Sequence, residues 1–205
     1  MNNLNSLFIF ILIIFLSIYS SFNLYYTNLE SLANSSQETI QNEINIHQSF
    51  ISNISDNFFW PIPGFNKISS YFGKRTSPTT GASSYHSGID IPASNGSNLY
   101  SVLSGTVSYI GFKGANGYTI IISSGNYEII YGHVSPNYII QKNQNISKGE
   151  VIGFVGPKYV YDIINNPYKD SKGIPTNGAT TGSHLHLSIK KDGKAVNPLN
   201  YFSFN

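Results

Sequence analysis

Cysteine is absent from the 205 residues, methionine and tryptophan occur once each, and only 11% of residues are charged. The first absence excludes disulfide stapling, Cys-ligated zinc and thiol catalysis. The scarcity of charge, well below the ~25% of an ordinary soluble domain, excludes a highly charged disordered chain. Gly, Asn, Ser, Thr and Tyr fill the gap, which predicts a turn-rich β protein. Basic residues are missing altogether from residues 1–56, where Glu30, Glu38, Glu43 and Asp56 give −4. Residues 57–205 hold all 12 Lys and Arg and the other six acids, a net +6. Two different objects share the chain.

The first object begins with a near-continuous apolar run from Leu7 to Ile18, and no charge appears before Tyr26. Twenty such residues suffice to cross a hydrocarbon layer of ~30 Å as a helix. An uncleaved membrane anchor over residues 1–26 is preferred to a cleaved signal peptide, since no basic residue precedes the run and no A-x-A-like site follows it. A buried core helix is the third reading, and it has nothing obvious to pack against. Residues 27–56 are rich in Asn, Ser, Gln and Glu, with Ile40, Ile44, Ile51 and Ile54 at roughly helical spacing; a short amphipathic stalk is expected. His47, among polar neighbours, reads as a solvated stalk residue. The string Trp60-Pro-Ile-Pro-Gly breaks any helix and marks the start of the second domain, residues 57–205.

From Phe65 the pattern changes to short β-type runs punctuated by Gly, Asn and Pro. Strands are expected at Leu99–Leu103, Thr106–Tyr109, Tyr118–Ser123, Tyr127–Tyr131, Val151–Val155 and His184–Ile189. No helical pattern interrupts them, so the predicted fold class is mainly β, an antiparallel sheet with a loop-lined groove. Gly156 to Gly182 is far longer than an ordinary connection, and such loops tend to carry function.

Four of the five histidines lie in this domain. His86 is followed four residues later by Asp90, and on an extended strand those positions share a face. His184 and His186 likewise share a face, leaving Leu185, Leu187 and Ile189 as a core-facing row. Singly, each histidine is read as a hydrogen-bonded strand residue and Asp90 as a turn acceptor. Together, imidazole, carboxylate and imidazole are the donor set of a catalytic zinc site, with three protein ligands and an open position for water. No H-E-x-x-H helix supplies a glutamate base. Glu128 faces away from His133 on its strand and Glu150 sits in a turn, so both read as solvated surface. The proton-handling candidates are His133 and whichever H-x-H histidine is not a ligand.

In order along the chain stand Trp60-Pro-Ile-Pro-Gly, Ser69-Ser-Tyr-Phe-Gly-Lys-Arg, His86-Ser-Gly-Ile-Asp90-Ile, Gly105-Thr-Val, Tyr131-Gly-His133, Lys148-Gly-Glu-Val-Ile-Gly and Thr181-Gly-Ser-His184-Leu-His186. This series resembles the lysostaphin/LytM-type zinc metallopeptidases, which have the duplicated-hybrid-motif fold and cut peptide bonds in bacterial peptidoglycan. The resemblance covers Trp60 to Phe202. It implies one Zn2+ per chain held by His86, Asp90 and His186. It also implies that His184 and His133 are catalytic, orienting or deprotonating water and stabilising the oxyanion. Two departures stand out: Leu187 occupies a position where an aromatic residue is common, and the Gly156–Gly182 loop is long. The expected partners are peptidoglycan peptides, anionic wall polymers attracted by the +6 domain, and the membrane through the N-terminal segment, placing the protein in the bacterial cell envelope.

Three rival readings compete with this one. An anchored wall-binding or scaffolding module, as in sporulation, does not need both His133 and His184. A biotinyl- or lipoyl-type carrier would account for the Lys148 string, yet the sole Met is Met1 and the histidines would go unexplained. Nucleic-acid binding has no support beyond net charge, because neither a basic helix nor a basic–aromatic motif is present.

Overall fold

The computed structural model describes residues 2–55 and 58–202, with side chains described for 8–46 and 58–202. It divides into two compact units, Met1–Ile54 and Ser55–Asn205.

The N-terminal unit is one continuous helix, α1 (Asn2–Ser55). The apolar run and the polar segment after it, so different in composition, are thus one element. Its stretch Phe8–Ile46 contains an 18-residue window of mean hydropathy 2.0 with nothing buried, long and apolar enough to cross a membrane. Phe8, Phe15 and Tyr19 are all exposed. Ile40 and Ile44 of the expected stalk are exposed as well; the side chains of His47, Ile51 and Ile54 fall outside the described set.

The second unit is built from short strands: β1 (Gly73–Lys74), β2 (Tyr85–His86), β3 (Gly88–Pro92), β4 (Asn98–Tyr100), β5 (Gly105–Phe112), β6 (Tyr118–Ser124), β7 (Tyr127–Gly132), β8 (Asn145–Ile146), β9 (Val151–Phe154), β10 (His184–Lys191) and β11 (Lys194–Val196). The main sheet runs β11-β10-β7-β6-β5-β8, with β3 also paired to β10, and every pairing is antiparallel. Two further two-stranded sheets, β1-β2 and β4-β9, flank it. The fold is therefore mainly antiparallel β with an N-terminal apolar helix. Alternation along β10 drives its placement: Leu185, Leu187 and Ile189 are all fully buried with Ile89, Ile91, Ile129 and Tyr131. Each such aliphatic contributes ~1.5–3 kcal/mol of transfer free energy. Trp60 donates its indole N–H to Phe65 O at 3.0 Å, and both Phe58 and Trp60 meet Phe202 edge-on, so the two ends of the described β unit pack together.

The structure corrects the strand reading in three places. His86 and Asp90 do not share one unbroken strand: Ser87 separates β2 from β3. Leu99–Leu103 shortens to β4, because its backbone pairs with β9 in a separate ribbon, with an irregularity between Leu99 and Tyr100. The strands β1, β2, β3, β8 and β11 had no alternation long enough to announce them; tertiary pairing creates them.

A histidine-lined cleft

Register on β10 assembles the site. His186 stands opposite Asp90 of β3 on one side and opposite Gly132 of β7 on the other. His133 follows directly after Gly132. A side chain at Gly132 would start 3.2 Å from the His186 Cβ, so the bare backbone there makes room for the imidazole. His133 itself adopts φ +56°, uncommon for a residue with a side chain and the kind of local strain that clusters at functional positions. All five expected site residues line a single cleft of about 420 Å³, with Arg75 alongside them.

Three donor atoms converge. His86 Nε2 and His186 Nδ1 lie 3.0 Å apart, and Asp90 Oδ1 lies 2.9 Å from His186 Nδ1 and 3.2 Å from His86 Nε2. His184 Nε2 approaches the same oxygen at 3.5 Å. The His133 and His184 rings sit with centroids 4.6 Å apart.

Hydrogen bonds on the far side of each ring decide which nitrogen is bare. A carbonyl oxygen can only accept. His86 Nδ1 donates to Tyr71 O at 3.0 Å, His133 Nδ1 to Asn177 O at 2.6 Å and His184 Nδ1 to Gly182 O at 2.8 Å. In the neutral form each of these rings therefore turns an unprotonated Nε2 toward the cleft. His186 is turned the other way: its Nε2 meets Ser188 Oγ at 2.9 Å, a hydroxyl able to donate or accept, and its Nδ1 faces the cluster. Burial, opposed by Asp90, pushes His186 below the ordinary histidine range. His133 is lowered further, by burial and by the His184 and His186 rings. For Asp90 burial opposes ionisation, but the contacts with His184, His186 and His86 outweigh it and hold the carboxyl far below the usual carboxylate range.

His86 Nε2, His186 Nδ1 and Asp90 Oδ1 thus face one another across ~3 Å; a shared proton can bridge such a pair, and a cation seated between them satisfies all three at once. Zinc bonds of ~2.0–2.1 Å in tetrahedral array set neighbouring donors ~3.3 Å apart, close to the observed separations. His86, Asp90 and His186 fit a zinc ion, and they form the group able to hold a metal among the described residues. Ring nitrogens tied to carbonyl and hydroxyl partners are the usual outer support of such ligands.

Neither Glu128 nor Glu150 enters the cleft. Glu128, half exposed, pairs at 3.1 Å with Lys190, four residues along β10 from His186, and Glu150 accepts from Ser147 N at 2.8 Å in its turn. Sequence reading missed Asn177, Ser188, Ser70 and Arg75. Ser70 and Arg75 stand in the Ser69-Ser-Tyr-Phe-Gly-Lys-Arg string and Asn177 precedes Gly178 within the long loop, whereas Ser188 carried no signal. That loop has no regular strand, only bridges such as Tyr159↔Thr176; it delivers Thr180 and Gly182 to the cleft and sets the Asn177 carbonyl behind His133. Gly117 and Gly178 let it close: at φ +64° and +72°, a Cβ on Gly117 would lie 2.3 Å from Asn177 O, and one on Gly178 would lie 2.3 Å from Gly117 N.

Comparison with known proteins finds similarity in both sequence and fold. Residues 84–167 match Peptidase family M23. A DD-carboxypeptidase/endopeptidase, Mpg, of Neisseria meningitidis is 32% identical over 136 residues, covering 66% of this chain and 27% of the relative. The murein hydrolase activator NlpD of Escherichia coli is 26% identical over 144 residues, 69% of this chain and 30% of the relative. A zinc-containing peptidase from Vibrio cholerae superposes with a TM-score of 0.54 at 24% identity, over 69% of this chain and 39% of that one. The chain spans less than a third of the length of these curated relatives. Sequence match and motif order together identify residues 84–167 as a peptidase family M23 domain of the lysostaphin/LytM type.

Proposed function

We propose that the protein is a zinc metalloendopeptidase that hydrolyses peptide bonds of bacterial peptidoglycan, in the stem peptide or the cross-bridge, held at the membrane by α1. The observation that carries this reading is the convergence of His86 Nε2, His186 Nδ1 and Asp90 Oδ1 beside two further imidazoles in one cleft. His86, Asp90 and His186 are the proposed ligands. Zinc held there would bring the pKa of water toward ~7 and polarise a scissile carbonyl. His133 and His184 are the proposed catalytic residues. Their Nε2 atoms start unprotonated, so they can orient a water, take its proton and return it to the leaving amine. The backbone carbonyls behind them keep both rings in the tautomer that does so.

The +6 charge of residues 57–205 would favour anionic wall polymers, weakly and in a salt-dependent way. The apolar window of α1 supports an envelope location with the β domain outside the cytoplasm. Intact mass of the protein from a membrane fraction tests the anchor: retention of Leu7–Ile18 supports it, and a shortened chain in the medium means a cleaved signal.

Similarity to a murein hydrolase activator favours a second reading, an anchored wall-binding or activating protein with little turnover. The filled set of five cleft residues argues against it, since contacts alone require neither His133 nor His184. The deciding experiment is mass spectrometry of products released from purified peptidoglycan, with and without a zinc chelator. Chelator-sensitive new amino termini are expected, and they identify the bond. Intact peptidoglycan from several wall chemistries, despite bound zinc, would establish the second reading.

A further inference from the structure

The two oxygens of Asp90 have separate partners. Oδ1 faces the histidine cluster, whereas Oδ2 accepts from Arg75 Nη1 at 3.1 Å. The same Nη1 also donates to Ser70 Oγ, so both of its hydrogens are engaged, and Ser70 Oγ lies 3.2 Å from His86 Nδ1. Backbone bonds hold this segment against β3: Ser69 N donates to Asp90 O and Asp90 N to Ser70 O, both at 2.9 Å. Arg75 N donates to Ser84 O at 2.8 Å, fixing the root of the side chain beside β2. Arg75 is the sole Lys or Arg among the residues lining the cleft.

From this geometry we infer that Arg75, bridged by Ser70, is a positioning residue that makes Asp90 present one oxygen, and only one, to the bound metal. The inference rests on the proposed ligand set. An unrestrained carboxylate can rotate or offer both oxygens to a cation. A guanidinium nitrogen on Oδ2 occupies that lone pair and locks the torsion, and its second hydrogen couples the carboxylate to the residue behind His86. Segment 69–75 therefore sets two ligands at once. A lysine ammonium keeps the charge without the planar fork.

The test uses purified full-length wild type, Arg75→Ala, Arg75→Gln and Arg75→Lys in detergent. Zinc affinity is measured by competition with a chromophoric chelator, and ligand geometry by the visible absorption of the cobalt-substituted proteins. Wild type is expected to bind one zinc, and the Ala and Gln variants to bind it ~10–100-fold more weakly, as for outer partners of metal ligands. Their cobalt bands are expected to lose intensity as the second carboxylate oxygen joins the coordination, and Arg75→Lys to recover part of the affinity. If Arg75→Ala does not fold, Arg75→Gln carries the same expectation. Affinity within twofold of wild type with an unchanged cobalt spectrum would overturn the role of Arg75 alone. A wild type that binds no zinc would overturn the ligand set and this inference together.

Discussion

His133 Nδ1 donates to the backbone carbonyl of Asn177 at 2.6 Å, joining a strand end to a loop 44 residues away. The acceptor belongs to the backbone, so what holds it in place is the Asn177 side chain. Its Oδ1 accepts from Tyr118 N at 2.7 Å and its Nδ2 donates to Val134 O at 3.0 Å, all in the interior. One asparagine thereby ties the long loop to β6 and to the residue after His133.

Asn177→Ala should leave the Tyr118 N–H and Val134 carbonyl without partners. At ~1–3 kcal/mol per buried orphan, a loss of about 2–4 kcal/mol is expected. Chemical denaturation of the purified chain measures it. Turnover of peptidoglycan, assayed well below the melting temperature, should fall more than tenfold, because His133 loses its fixed orientation.

His186→Ala and His184→Ala should separate two roles within one strand. The first removes a proposed ligand and should yield protein without stoichiometric zinc. The second should keep zinc and lower turnover by ~10²–10⁴-fold, the usual worth of a positioned acid or base. Metal analysis combined with product release reads both; normal zinc in His186→Ala would sink the ligand assignment.

Chelation should destabilise the β domain, since the three converging donors lose the cation that reconciles them. Metal that binds only the folded state adds about 4 kcal/mol at a thousandfold excess over its dissociation constant. A fall in thermal midpoint with chelator, reversed by zinc, is the expected outcome. In His186→Ala the midpoint should be indifferent to both.

Gly178→Ala should damage the site from a distance. At φ +72° a side chain is strained by ~1–3 kcal/mol, and its Cβ would meet Gly117 N at 2.3 Å. A lower melting temperature and reduced turnover are expected, whereas Gly173→Ala, at φ +80° with nothing within 4 Å, should cost the strain alone.

Much of this protein is legible from its one-dimensional pattern. The alternation His184, His186 against Leu185, Leu187, Ile189 already separates cleft from core, because successive side chains on a strand take opposite faces. The apolar run from Leu7 marks the helix, and the scarcity of charge with frequent turn residues marks the β class. Local rules also place His86 and Asp90 near each other, even though Ser87 breaks the strand assumed between them. What those rules do not reach is pairing across the chain. Only the registers His186↔Asp90 and His186↔Gly132 bring residues 86, 90, 133 and 186 to one point, and only the loop closure at Gly117 and Gly178 puts the Asn177 carbonyl behind His133. Arg75 and Ser188 became visible for the same reason. Their partners are Asp90 and His186, and it is the geometry of the folded sheet, through register and distance, that gathers separate histidines and a carboxylate into one cleft.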